Sequence, residues 1–248
     1  DGRTLQVASV HHYRDQWARA FDITYEDASG SQQYVHQTTY GMSERLLGAI
    51  VASHGDDKGL VMPPPVAPVQ VVVIPIISKG DSSEVISESE RITLELKTAG
   101  IRVRLDSRDI RPGQKYYDWE IKGVPLRMEI GPRDLANNSV MCVRRTGGKQ
   151  SHSVNDLVDT IRSELDSIGE EMKQQSSDHF NSRIKMLPAF TIDGPNLIFD
   201  QAIEKGTVYE MAFDGNDAEA EMIEKGTDLS FLGDSTMAYK KKVPCVIT

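Results

Sequence analysis

Cysteine is scarce in this chain: Cys142 and Cys245 are the two among 248 residues. Two thiols cannot build a disulfide framework or a four-cysteine metal site, and the default reading is a reducing, cytoplasmic compartment. Long hydrophobic runs are also missing. The longest apolar stretch, Val69 to Ile77, falls well short of the ~20 residues a membrane-spanning helix needs, and no secretory signal pattern opens the sequence. Basic residues are not in excess, with 28 Lys and Arg against 37 Asp and Glu for a net charge of -9. That balance argues against a protein that coats nucleic acid non-specifically. No internal repeat is visible. What is present, 39% hydrophobic and 26% charged residues, suits a packed fold of one large domain or two small ones.

The charge is unevenly spread. Residues 1–100 carry a net -5 and residues 151–248 a net -9, but residues 101–150 hold 11 basic and 6 acidic side chains, a net +5. A basic island in an acidic chain fits an anionic partner bound at one defined place; a solvated charged face is the plainer alternative.

Local patterns divide the chain. Phe21 to Glu26 and Gln33 to Thr39 read as two strands joined by the turn-rich Asp27-Ala28-Ser29-Gly30-Ser31. Leu46, Leu47, Ile50, Val51 and His54 then recur at helical spacing, with Ser43 as a candidate N-cap and Gly55 as the stop. Pro63-Pro64-Pro65 and Pro68 cannot continue a helix and mark a first domain boundary. Beyond it, Val69 to Ile77 reads as a strand covered on both faces, Glu84 to Ala99 as a helix, and Ile101 to Leu105, Val124 to Ile130 and Ser139 to Val143 as strands. Val154, Val158, Ile161, Leu165, Ile168 and Met172 follow steps of four and three, an amphipathic helix. This order predicts a mixed-sheet α/β domain. Residues from about 183 on are acidic, loop-rich and weakly patterned.

The first chemically pointed motif is Gly41-Met42-Ser43-Glu44-Arg45. Arginine's planar fork matches phosphate oxygens, and in the first turn of a helix it opposes the macrodipole. An anionic ligand explains it better than helix stability does, although a solvated arginine is the commoner outcome for such a residue alone.

In context this motif, followed by His54-Gly55-Asp56-Asp57-Lys58-Gly59-Leu60-Val61-Met62-Pro63-Pro64 and a Val-rich strand, resembles the third signature motif of class II aminoacyl-tRNA synthetases. The wording is most similar to the prolyl-tRNA synthetase family of the archaeal and eukaryotic-like type. The resemblance continues through Arg108-Asp109-Ile110-Arg111-Pro112-Gly113-Gln114-Lys115-Tyr116 and through the long block from Trp119 to Asp134, which contains Arg127-Met128-Glu129-Ile130-Gly131-Pro132-Arg133. It covers residues 1 to 175 closely and the remainder loosely. It implies three parts: the end of an antiparallel-sheet catalytic domain (1–66), a mixed-sheet α/β anticodon-binding domain (67–175) and a small α+β C-terminal domain (176–248).

The resemblance implies roles as well. Arg45, the catalytic candidate, would hold ATP near its γ-phosphate, with Gln6, Ser9 and Ser43 lining the nucleotide site and His11 and Gly41 the proline pocket. No protein nucleophile is required, because the proline carboxylate attacks the α-phosphate; catalysis is positioning and charge stabilisation, aided by magnesium. The sequence departs from the family at Val7-Ala8-Ser9-Val10-His11, where Gly-Gly-Thr-Ser-His is usual, and at Thr39-Tyr40-Gly41, where Ser-Trp-Gly is usual; both bear on the proline pocket. For tRNA the implied set is Arg108, Arg111, Lys115, Trp119, Glu120, Lys122, Arg127, Glu129 and Arg133. Cations would grip phosphates, Glu120 or Glu129 would read flipped anticodon bases, and Trp119 or Tyr116 would offer stacking faces.

Many relatives carry a zinc-binding cysteine cluster in the C-terminal domain. Here Cys245 stands alone, and one thiol with no histidine nearby cannot make a tetrahedral site, so no zinc is expected. The first two class II motifs are absent from the sequence, which therefore reads as a fragment not expected to aminoacylate by itself. The expected parent is a cytoplasmic, homodimeric enzyme acting on ATP, L-proline and tRNA(Pro), with no membrane association. Two alternatives are a non-catalytic tRNA-binding module and a class II synthetase for another amino acid such as threonine.

Overall fold

The computed structural model describes residues 5–77, 83–193, 196–213, 217–235 and 243–247. Asp1 to Thr4 of the motif around Gln6 lie outside them. Residues 6–174 form one compact unit and residues from 175 onward a second. The boundary expected at 66/67 falls inside the first unit.

The first unit opens with a ribbon. Strands β1 (Ala8–Arg14) and β4 (Gln37–Met42) pair antiparallel with Ser9 opposite Gly41 and His11 opposite Thr39. Between them come a one-and-a-half-turn helix α1 (Gln16–Phe21) and a hairpin of β2 (Thr24–Glu26) and β3 (Gln32–Tyr34). The expected turn forms there. Asp27 Oδ1 accepts the N–H groups of Ser29 and Ser31 at 2.8 and 3.1 Å, and the Ser29 hydroxyl and these amides hold the carboxyl at about 2. The hairpin is shorter than the expected strands because the chain breaks at Val35-His36 and the rest of the run pairs with β1 instead.

Helix α2 (Arg45–His54) follows, capped backbone-first at Gly55, whose N–H meets Val51 O at 2.8 Å. Its N-cap is Glu44, one residue later than expected. Ser43 still helps, accepting the Arg45 N–H on Oγ at 3.3 Å.

The rest of the unit is built on a five-stranded sheet in the order β6-β5-β7-β8-β9, made of β5 (Val71–Pro75), β6 (Val103–Leu105), β7 (Leu126–Ile130), β8 (Ser139–Arg144) and β9 (Lys149–Ser153). β5 runs parallel to both β6 and β7, and β8 and β9 extend the sheet antiparallel. The chain steps one way from β5 to β6 through α3 (Ser83–Thr98), then back over β5 to β7 through α4 (Pro112–Ile121). Right-handed crossovers in opposite directions put their helices on opposite faces. Accordingly Ile92 and Leu96 of α3 join Val71, Val73, Leu126, Met128 and the long helix α6 (Leu157–Ser182) in the main core, while Trp119 of α4 packs on Val72 and Ile74 from the other side. Ile161 and Ile168 supply the inward stripe of α6, as its periodicity requires. A short α5 (Pro132–Ala136) follows β7; the Asp134 carboxylate accepts the Gly131 N–H at 2.9 Å and caps its start.

In the second unit, β10 (Ile184–Met186), β11 (Phe190–Asp193), β12 (Asn196–Phe199), β13 (Val208–Met211), α7 (Asp217–Thr227), β14 (Phe231–Ser235) and β15 (Val243–Ile247) follow in sequence. A sheet in the order β10-β13-β15-β14 and the β11-β12 hairpin make up its strands. Tyr209, Met211 and Ile223 are its buried centre, with Leu187, Phe190, Leu197 and Phe213 around them.

Candidate functional site

Two sets of residues need an account, one on the ribbon and one on the sheet. On the ribbon, cross-strand register puts Ser9 beside Gly41 and His11 beside Thr39, on one face. A side chain at position 41 would meet Ser9 Oγ at 3.6 Å. Arg45 opens the helix just beyond Gly41 and its Nη1 donates to Gln6 O at 3.3 Å, so the strand entering the ribbon and the helix leaving it are tied at the guanidinium. Among the described residues no carboxylate pairs with Arg45. The structure therefore places Ser9, Gly41 and His11 along one face of the ribbon, with Gln6, Ser43 and Arg45 at its end.

Further along the same face lies a feature that sequence reasoning missed. Rings of His11 and Tyr13 stack at 5.5 Å, Tyr13 meets Trp17 edge-on at 6.0 Å, and Trp17 stacks on Phe21 at 6.0 Å. Tyr13, Trp17, Phe21, Ile23, Gln37 and Thr39 line an open hollow of about 450 Å³. Part of the signal was available: i, i+4 spacing puts Trp17 and Phe21 on one side of α1, while Tyr13 joins them from strand β1.

On the sheet, α4 covers β5 but leaves the outer strands of that face open. Register builds two rows across it. Val72, Arg127, Val143 and Lys149 form one, and Ile74, Glu129, Met141 and Ser151 the next. Arg127 lays its guanidinium over the Tyr116 ring at 4.0 Å, a cation–π contact. Its Nε donates to Glu129 Oε1 at 3.0 Å. Lys149 Nζ donates to the other carboxylate oxygen at 3.3 Å. Lys149 and Ser151 are exposed whereas Glu129 is 8% exposed, so the rows open to solvent at their outer edge. The arrangement is a nearly buried carboxylate with one oxygen on each of two cations and an aromatic ring behind Arg127, which fixes both cations and leaves the exposed Lys149 placed to meet phosphate. Lys149 was not among the expected residues; strand β9 is polar throughout and gave no strand signal.

Other expected tRNA contacts have structural tasks. Lys115 is 2% exposed, and its ammonium donates to Asp106 O at 3.0 Å. Trp119 is buried, its indole N–H donates to Asp106 Oδ2 at 2.7 Å, and Lys122 Nζ sits 4.6 Å from its ring centre. Neither is free to meet RNA, because α4 needs both to close over the sheet. Arg108 is likewise spent on Asp106 and Asp118 at 2.7 and 2.8 Å. The Arg108 fork and the Trp119 N–H hold the Asp106 carboxyl well below the ordinary carboxylate range. Arg111 and Arg133 stay exposed at the carboxyl ends of the parallel strands, with no ion pair among the described residues. Glu120, near the other end of α4, meets Lys58 Nζ at 3.4 Å.

Residues 70–164 match the family described as the anticodon binding domain. Over 98% of its length the chain is 43% identical to the proline–tRNA ligase of Thermococcus kodakarensis, covering 50% of that protein. It is 42% identical to the proline–tRNA ligase of Methanocorpusculum labreanum over its whole length, covering 51% of the relative. A 185-residue stretch is 50% identical to the enzyme of Methanosarcina mazei, covering 74% of the chain and 38% of the relative.

Over nearly its whole length the chain is similar to proline–tRNA ligases. It spans about half the length of the relatives it matches. The sheet carrying Arg127 and Glu129 lies within the residues that match the anticodon binding domain. No described helix is long and apolar enough to cross a membrane.

Proposed function

We propose that the protein to which this chain belongs is a cytoplasmic, homodimeric proline–tRNA ligase. It joins ATP and L-proline into prolyl-adenylate and transfers the prolyl group to tRNA(Pro). The observation that carries this reading is the open face of the five-stranded sheet. There a cluster of Arg127, Glu129, Lys149 and Tyr116, reached from solvent through the exposed Lys149, lies inside the segment that matches the anticodon binding domain.

In this reading Arg45 places its charge on the ATP phosphates, and Gln6, Ser9 and Ser43 orient the nucleotide with amide and hydroxyl groups. His11, Gly41 and the aromatic hollow beyond them hold the proline ring, which suits apolar walls. The attacking group is the substrate's own carboxylate, so the chain supplies position and charge rather than a nucleophile. Among the described residues no three His, Cys, Asp or Glu side chains converge on a metal position. Residues 67–175 act as the anticodon-binding domain, with Arg111, Lys122 and Arg133 on phosphates and Glu120 and Glu129 on bases.

Filter binding of the chain to tRNA(Pro) and to unrelated tRNAs, at one stated salt concentration, tests the reading. Affinity should favour tRNA(Pro). Arg127→Ala should cost about 1–3 kcal/mol and narrow the preference, whereas Arg133→Ala should weaken all tRNAs alike and lower the salt slope by about 1. Equal affinity for every tRNA would overturn it.

A further inference from the structure

The segment that leaves α2 is fastened to the sheet domain more tightly than a linker needs to be. Asp56 and Gly59 close a small turn through two backbone hydrogen bonds of 3.1 and 3.0 Å, and Asp56 Oδ1 also accepts the Lys58 N–H at 2.9 Å. The same carboxylate takes both arms of Arg145, at 2.8 and 2.5 Å. Arg145 has a side chain only 4% exposed; it follows directly on β8, and its Nε donates to Glu120 O at 3.1 Å. A bidentate arginine–carboxylate pair fixes angle as well as distance.

Beside this clamp the two backbones interlock. Leu60 N–H meets Ile121 O at 3.0 Å and Met62 N–H meets Gly123 O at 3.1 Å. A Cβ on Gly59 would lie 2.7 Å from Ile121 Cα, and one on Gly123 would lie 2.6 Å from the Leu60 carbonyl. Both glycines have positive φ. The contact is too close for any side chain and too specific for a passive tether.

The two elements gripped here are also those that shape the open sheet face. β8 contributes Met141 and Val143, and α4 contributes Tyr116 under Arg127. The gripping segment begins where α2 ends, and α2 begins at Arg45.

We propose that Asp56 and Arg145 are positioning residues that couple RNA bound on the sheet face to helix α2, and so to the placement of Arg45. The inference rests on the functional reading above. RNA that fixes α4 and the end of β8 also fixes the 56–62 turn, because the buried guanidinium bonds to both. By linkage the coupling runs in reverse as well, so a settled α2 favours bound RNA.

Hydrogen exchange on the intact 248-residue chain tests this, with and without a saturating stem-loop carrying the proline anticodon. In the wild-type chain the stem-loop should slow exchange across residues 45–54 by about threefold or more, beyond the protection at β7 and β8. Asp56→Asn keeps an acceptor oxygen but loses the charged fork. At equal stem-loop occupancy it should lose the slowing over 45–54 and keep it at β7 and β8. Arg145→Lys, which retains charge without the bidentate geometry, should behave the same way, so the result does not hang on one variant. Unchanged exchange over 45–54 in the liganded wild type, or full slowing in both variants, overturns the coupling while leaving the functional reading intact. A stem-loop that does not bind at all overturns the functional reading, and the coupling with it.

Discussion

Residues 6–54 and residues 70–174 are both rich in apolar side chains at regular spacing, yet they end in opposite conditions. In the first stretch Ala18 alone is buried; Trp17, Phe21, Tyr40, Met42 and Leu47 are 48, 67, 76, 74 and 59% exposed. In the second, Val71, Val73, Ile92, Leu96, Leu126, Met128, Ile161 and Ile168 are all fully buried. Local rules built each set of elements equally well. The difference lies one level up: an amphipathic face stabilises a fold only when a second layer covers it. The sheet has α3 and α6 for that purpose, while among the described residues the ribbon and α2 have no such layer. Folding stability therefore resides in the sheet domain, and the proposed ATP and proline groups ride on it through the Asp56 clamp.

The largest expected effect follows directly. Ile161→Ala removes a fully buried branched side chain from the inward stripe of α6 and should lower unfolding free energy by about 2–5 kcal/mol. Urea denaturation followed by far-ultraviolet circular dichroism measures it. A loss below about 1 kcal/mol would mean that the α6–sheet core is not the stabilising layer.

Next in size is the buried polar knot at the end of β6. Asp106 is 3% exposed and accepts from Arg108 Nε, Arg108 Nη2 and Trp119 Nε1 at 2.9, 2.7 and 2.7 Å. Asp106→Ala strands the indole N–H beneath α4 and should cost roughly 1–3 kcal/mol. The wild-type protein should show the same dependence on pH. The folded-state pKa of Asp106 is depressed, as is that of Asp56, which Arg145 holds at about 2. A depressed carboxyl contributes stability that is fully present above its unfolded value, near 3.9, and is lost as pH falls through the folded one. The urea midpoint should thus be flat from pH 7 to about 5 and fall between about 4 and 2. In the Asp106→Ala variant that fall should be shallower; an identical acid slope would show that the knot contributes no linkage.

How far the sequence discloses this division depends on the kind of signal each element carries. β5 was legible because Val71-Val72-Val73-Ile74 is β-branched throughout, as a strand buried on both faces must be. α6 was legible through its spacing, and the strand–helix order was enough to imply a mixed sheet. β9, Lys149-Gln150-Ser151-His152-Ser153, was not, since an edge strand with an open face needs no apolar alternation. That is why Lys149 escaped notice while Arg127 and Glu129, inside a recognisable motif, did not. Lys115 and Trp119 failed in the opposite direction. Their motif marked them, but nothing local says that Asp106, nine and thirteen residues earlier, turns both inward. The ribbon's candidate residues were legible only through the resemblance, because Ser9, Gly41 and His11 become neighbours by cross-strand register, which the sequence of either strand alone leaves open.

The smallest expected effect bears most directly on the contrast between the two regions. Leu47 has the apolar character and helical position of a core residue but is 59% exposed on α2, a helix with no buried residue. Leu47→Ala removes little buried area and exchanges one good helix former for another. Its effect on the urea midpoint should then correspond to within about 0.5 kcal/mol, against the several expected for Ile161→Ala. The pair should be compared at two protein concentrations. If Leu47→Ala instead destabilises the chain as a core substitution does, and does so more strongly at the higher concentration, then α2 is covered by another copy of the chain in solution. The layer that distinguishes the two regions would in that case come from association, and the sheet domain would lose its place as the sole stabilising layer.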